Sequence, residues 1–286
     1  MSRFYTSLIV MAISIYCVIA YPTSCKGYRF PIIPDSISDP DSRATYVVSH
    51  FWDNAETEAM TDAHVLETFF YALGKVPKNV RINAVNYLID KCIGDTDRLS
   101  TVAWYIDFHL GSPESIYRDD TLYLQAQRHI VESPFPDEYK IAPRNRIELL
   151  SKNGKGEPAP DFTFTDGEGH QRNLSDIPMP CMLIFADSEC GRCCQEQKRL
   201  RDELLELRNN GWNIITVYLD GIIPEYARDL PETESVPDTF GHILEDDLYV
   251  VRRLPSVYLI DRNKRILEKE INLNEISIHH ILTNSN

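Results

Sequence analysis

A chain of 286 residues with a formal net charge of -14 is long enough for two domains, each able to bury its own core. The acidity argues against a nucleic-acid partner, because binding a phosphate backbone needs a basic face. It is also uneven: from Asp220 to Asp247 nine acidic residues stand against one basic residue, Arg228, a pattern that reads as a solvated acidic surface.

At the N-terminus, "MSRFYTSLIVMAISIYCVIAYPTSCKG" places one cation, Arg3, before an apolar run from Leu8 to Ala20 and a small, polar close. This is the pattern of an export signal over residues 1–24. The apolar run is shorter than the ~20 residues a membrane-spanning helix needs. Two cleavage sites compete, one after Ala20 and one at Cys25. There, Pro22-Thr23-Ser24-Cys25 resembles a bacterial lipobox, with Pro22 where Leu is usual. The expectation is lipidation of Cys25, a tether over residues 25–42 rich in Pro, Ser and Asp, and a location on the periplasmic side of a bacterial membrane. Disulfides persist in that compartment.

From residue 43 to about residue 150 the apolar period is helical. "VRINAVNYLIDKC" aligns Val85, Leu88, Ile89 and Cys92 on one face, and "LSTVAWYIDFHL" aligns Leu99, Val102, Ala103, Ile106 and Leu110. Pro77, Gly94, Gly111 and Ser133 punctuate the helices. A small all-α domain follows, with Phe51, Trp52, Phe69, Phe70 and Trp104 as its expected aromatic core. His64, His109 and His129 lack metal-ligand spacing, and no cofactor motif is present, so no cofactor is expected.

The Gly- and Pro-containing stretch "SKNGKGEPAPDF" marks a junction, and residues 151–286 alternate strand with helix. "DFTFTDGEGHQRNL" reads as a β-hairpin and "CMLIFAD" as a central strand buried on both faces. Leu200, Leu204 and Leu207 define a helix, "WNIITVYLD" a strand, the acidic segment a helix-like stretch, and "PSVYLIDRNKRILEKEI" two strands about a polar turn. The fold class is α/β, a mixed sheet flanked by helices.

Chemistry concentrates in "FADSECGRCCQEQKRL", where a buried strand gives way to a helix and three thiols fall within five positions. Unpaired amides and the dipole at a helix N-terminus favour the thiolate, which is the reactive form. Arg192 adds a cation and Glu189 opposes it. Cys190, at the mouth of the turn, is the expected nucleophile and Cys193 the resolving thiol, although i to i+4 spacing leaves Cys194 open as a partner. Cys92 and Cys181 fall at apolar positions and read as buried small side chains.

The central strand, C-x-x-C at a helix start and the later "LPSVYLID" together resemble the thioredoxin fold, and within it the exported thiol-disulfide oxidoreductases of the TlpA/ResA type, over residues 155 to 283. The resemblance implies a cis Pro255 beside the thiols and a Leu254 backbone that pairs with an extended substrate. It also implies thiol- or disulfide-bearing extracytoplasmic proteins as partners, with a membrane or periplasmic redox partner. "YRDDTLYLQAQRHIVESP" and "RNRIELLSKNGKGEPAPDF" resemble the N-terminal helical domain of thioredoxin-like lipoproteins from Bacteroidota-type bacteria. Three features depart from the pattern: Glu189 replaces the usual Trp, Ile184 occupies the place of a buried acid, and Cys194 is extra.

Two other functions compete. A copper-handling protein on the same fold would use Cys190, Cys194 and a distant His242, since thiolates favour Cu(I), but it leaves Cys193 idle. A redox-inactive binding module would rely on the helical domain. Zinc lacks a fourth ligand, and the P-x-x-x-T-x-x-C pattern of a peroxidatic cysteine is missing before Cys190.

Overall fold

In the computed structural model, residues 27–273 and Ile281 are described. The expected export signal and lipidation site, Cys25 included, lie outside them. The chain divides into two units, Met1–Arg144 and Asn145–Asn286.

The first unit is helical: α1 (Pro40–Ser49), α2 (Ala63–Leu73), α3 (Lys78–Asp90), α4 (Thr96–Ile106) and α5 (Asp120–Glu132). Four of these begin at an Asp whose carboxylate accepts a first-turn N–H: Asp39 from Ser42, Asp62 from His64 and Val65, Asp95 from Arg98, and Asp119 from Leu122. The caps satisfy amides that no helical carbonyl reaches. Phe51, Trp52, Phe69 and Phe70 are buried as expected, with Trp52 and Phe69 centroids 5.1 Å apart.

Trp104 corrects the sequence reading. It is 56% exposed and stacks on exposed Phe108 at 5.2 Å. Its helix turns Leu99, Val102 and Ile106 inward, and a residue two positions from Val102 falls on the opposite face. The segment expected to be a tether also differs from a free one. Tyr28 lies 5.1 Å from the Phe51 ring, and the Gly27 carbonyl accepts from Glu56 N–H.

The division between units falls within α6 (Ile141–Ser151). In the second unit, β1 (Thr163–Thr165) and β2 (Gln171–Asn173) form an antiparallel hairpin. Asp166 holds its turn by accepting from Glu168 and His170 amides, and Gly169 supplies a φ of +87°.

The main sheet contains β3 (Cys181–Ala186), β4 (Asn213–Tyr218), β5 (Glu234–Pro237), β6 (Ser256–Ile260) and β7 (Ile266–Ile271). Its spatial order is β5-β4-β3-β6-β7, with β3, β4 and β5 parallel and β6 and β7 antiparallel to their neighbours. This is a thioredoxin-like mixed sheet, as the resemblance implies. Alternation along β3 sends Leu183 and Phe185 to the hairpin side, where they meet Phe164 and Tyr258. Met182 and Ile184 go to the other side, against Leu204 and Leu207 of α8 (Arg201–Asn209).

The acidic segment is not the helix-like stretch expected. It contributes β5, an edge strand, before a short α9 (His242–Glu245). An edge strand tolerates charge and a terminal Pro, which masks its strand signal: of its four residues only Val236 is buried. Among the described residues no helix is long and apolar enough to cross a membrane.

Candidate active site at the N-terminus of a helix

Parallel register places Ala186, the last residue of β3, beside Tyr218, the last of β4. The chain leaves the sheet through Asp187, Ser188 and Glu189 and enters α7 (Gly191–Arg199) with Cys190 as its N-cap. This crossover turn is held from both ends. Asp187 accepts from Glu189 N–H through its carboxylate and from Cys190 N–H through its carbonyl, while Asp220, just after β4, accepts from Ser188 N–H and its hydroxyl.

Cys190 and Cys193 are disulfide-bonded, with Cα atoms 5.3 Å apart, inside the ~4.4 to 6.8 Å that such a bond requires. The two sulfurs are not equivalent. Cys193 is fully buried with Ala186, Tyr218 and Ala227, whereas Cys190 is half-buried at the edge of that cluster. Cys193 N–H also donates to Cys190 Sγ at 3.1 Å, so the helix N-terminus is aimed at the outer sulfur. An amide directed at sulfur stabilises negative charge on it once the bond opens.

Cys194 is a half-exposed free thiol near the Tyr218 and Tyr226 hydroxyls. Burial raises both phenols above their ordinary range, and for Tyr226 the Tyr218 hydroxyl adds to the rise. Cys92 and Cys181 are buried, where desolvation pushes the Cys92 thiol up to about 12 and raises Cys181 as well. Both therefore stay protonated and inert.

The Leu254–Pro255 peptide is cis, and Leu254 packs against the cluster that holds Cys193. Arg192, between the paired cysteines, donates from Nε to the Leu254 carbonyl at 2.9 Å. The structure thus brings Cys190, Arg192, Cys193, Cys194, Leu254 and Pro255 to one end of the sheet.

His242 does not converge on a thiol pair free to ligate. Its Nδ1 pairs with Asp246 along α9, and Cys190 is bonded to Cys193. Among the described residues no group of three His, Cys, Asp or Glu side chains is placed to hold a metal ion. Ile184 is buried in the apolar cluster with Leu204 and Leu207 of α8, so the departure from the buried acid stands.

Two features escaped the sequence reading. Glu196 is buried one turn beyond Cys193 on the inner face of α7, which its i+3 spacing could have signalled. Tyr218 and Tyr226, 24 and 32 residues beyond Cys194, had no local signal at all, because β4 and the 3-10 turn Glu225–Asp229 carry them to the thiols.

A family model described as a domain of unknown function, DUF5106, matches residues 11–153, half of the chain, and the AhpC/TSA family model matches residues 155–269. A curated relative, thiol-disulfide oxidoreductase ResA of Oceanobacillus iheyensis, is 30% identical over 122 residues, 40% of this chain. The chain spans 62% of that relative's length. A solved thioredoxin-like protein from Bacteroides caccae superposes with a TM-score of 0.74 at 22% identity, covering 91% of this chain and 99% of its own. That similarity concerns the fold. The chain therefore belongs to the DUF5106 family, and the residues that follow that helical domain are similar to the AhpC/TSA family over 155–269.

Proposed function

We propose that the protein is a membrane-anchored, periplasm-facing thiol-disulfide oxidoreductase that exchanges disulfides with extracytoplasmic proteins through Cys190 and Cys193. The observation that carries this reading is the asymmetry of the pair: an accessible sulfur capping a helix is bonded to a buried one. In the reducing direction, the Cys190 thiolate attacks one sulfur of a substrate disulfide. The substrate S–S bond breaks, its leaving thiolate takes up a proton, and a mixed disulfide forms. Cys193 then loses its proton and attacks Cys190 Sγ, closing the internal disulfide and releasing the second substrate thiolate, which is protonated in turn. The substrate gains two electrons and two protons; the chain supplies both electrons and the Cys193 proton, and the other proton is the one Cys190 released to solvent on forming its thiolate. A dithiol protein of the membrane or periplasm restores the reduced pair, and the same steps run backwards for a substrate that is oxidised.

The anchor rests on the N-terminal pattern ending at Cys25. Replacing Cys25 with Ala is expected to move the protein to the soluble fraction, and unchanged membrane retention would reject lipidation. For the chemistry, redox titration with thiol trapping and mass spectrometry should find one two-electron couple joining Cys190 to Cys193. Cys193→Ser should accumulate substrates as mixed disulfides on Cys190. A couple that uses Cys194, or no couple, would sink the assignment.

A further inference from the structure

The Leu254 carbonyl is the last acceptor before Pro255, which has no N–H, and then Ser256 opens β6. An extended substrate docking beside the thiols would use that carbonyl for backbone pairing. In this chain it already accepts from Arg192 Nε at 2.9 Å. The donor comes from within the Cys-Gly-Arg-Cys turn, 62 residues away, so one side chain ties the reacting turn to the loop that faces substrate. Arg192 is exposed, hence an arriving partner can reach its guanidinium. A carboxylate is a stronger partner for a guanidinium than an amide carbonyl is, because it accepts two parallel bonds and carries the opposite charge.

We propose that Arg192 is a specificity latch, holding the Leu254 carbonyl until a substrate carboxylate draws it away, so that the protein prefers disulfides flanked by Asp or Glu. This rests on the oxidoreductase reading and identifies its substrate class. A neutral extended substrate must displace Arg192 without compensation. A small disulfide that makes no backbone pairing does not meet the latch.

The test uses the reduced full chain and two peptides, each with one Cys joined to β-mercaptoethanol and differing only in Glu or Gln beside that Cys. Hydroxyethyl disulfide serves as the small neutral reference. The Glu peptide is expected to react roughly two- to fivefold faster than the Gln peptide, the range open to an exposed ion pair, and the preference should shrink in high salt. In Arg192→Ala the preference should vanish, and the Gln-peptide rate should rise relative to hydroxyethyl disulfide because the carbonyl is uncovered. Arg192→Lys, which keeps the charge without the planar fork, should fall between them. A role for Arg192 confined to stabilising the Cys190 thiolate would slow all three substrates alike and leave their ratios unchanged. That result, or equal rates for the two peptides with the wild-type chain, overturns the latch. Reaction with hydroxyethyl disulfide that is unaltered in Cys190→Ser would overturn the oxidoreductase reading instead. In that event anisotropy binding of fluorescent Ser-for-Cys versions of the peptides still reads the latch: a Glu preference that depends on Arg192 upholds it, and equal binding rejects it.

Discussion

The two units start their helices in different ways. In the helical unit Asp39, Asp62, Asp95 and Asp119 cap four helices with carboxylates, each taking up first-turn amides. In the thioredoxin-like unit the same vacancy at α7 is filled by a sulfur, Cys190 Sγ accepting from Cys193 N–H. A carboxylate cap is a better acceptor and chemically idle, whereas a thiol is a weak cap whose charged form the helix stabilises. Four helices of the helical unit thus begin at an idle carboxylate, and α7 begins at the thiol on which the proposed exchange depends.

That contrast can be broken most directly at Cys190. Ser is a competent N-cap, so Cys190→Ser should abolish exchange while the reduced protein keeps its thermal midpoint close to that of the reduced parent. A large loss of stability in the reduced state would mean that the sulfur is chiefly structural. Charge pairs separate the units next. Arg252 donates to Glu270, a fully buried carboxylate, from Nε at 3.0 Å and from its terminal nitrogen at 2.7 Å, while Arg81 and Asp119 pair at 3.0 Å with both side chains partly solvated. Arg252→Met should cost ~3 to 5 kcal/mol by taking the guanidinium away from a buried carboxylate. Arg81→Met should cost under ~1 kcal/mol in the same urea titration, and similar losses would show that burial is not what distinguishes the pairs.

Asp62→Ala tests the caps of the helical unit. It should lower stability by ~1 kcal/mol and leave thiol exchange unchanged, because the residue belongs to the other unit. A fall in exchange rate would reveal energetic coupling between the units.

The smallest effect concerns pH. His109 is buried with its ring 4.5 Å from Phe70, and burial pulls its pKa below the ordinary 6.5, Glu67 opposing in part. The unfolded chain therefore binds this proton first as pH falls. Stability present above 6.5 is lost as pH falls toward the folded value. His109→Gln should show a flatter unfolding free energy between about pH 7.5 and about pH 5. An identical slope in both proteins would reject the assignment.

Much of this molecule was legible along the chain because the signals are local. Helical period placed Val85, Leu88, Ile89 and Cys92 inside, two-residue alternation marked the β1–β2 hairpin, a continuous apolar run marked β3, and a Cys-x-x-Cys run between strand and helix marked the site. Trp104 was misread because aromatic identity was weighed above helical phase, and β5 was hidden because an edge strand can be acidic. Residue type and spacing suffice for a helix face, a cap or a thiol pair within one turn, since the chain itself sets those distances. Bringing Leu254 to Arg192, Tyr218 beside Ala186, and Tyr226 into the cluster around Cys193 required strands and loops 32 to 62 residues apart to pair and pack. Only the folded sheet decides such meetings, because its register is settled by hydrogen bonds and buried faces contributed by several strands together.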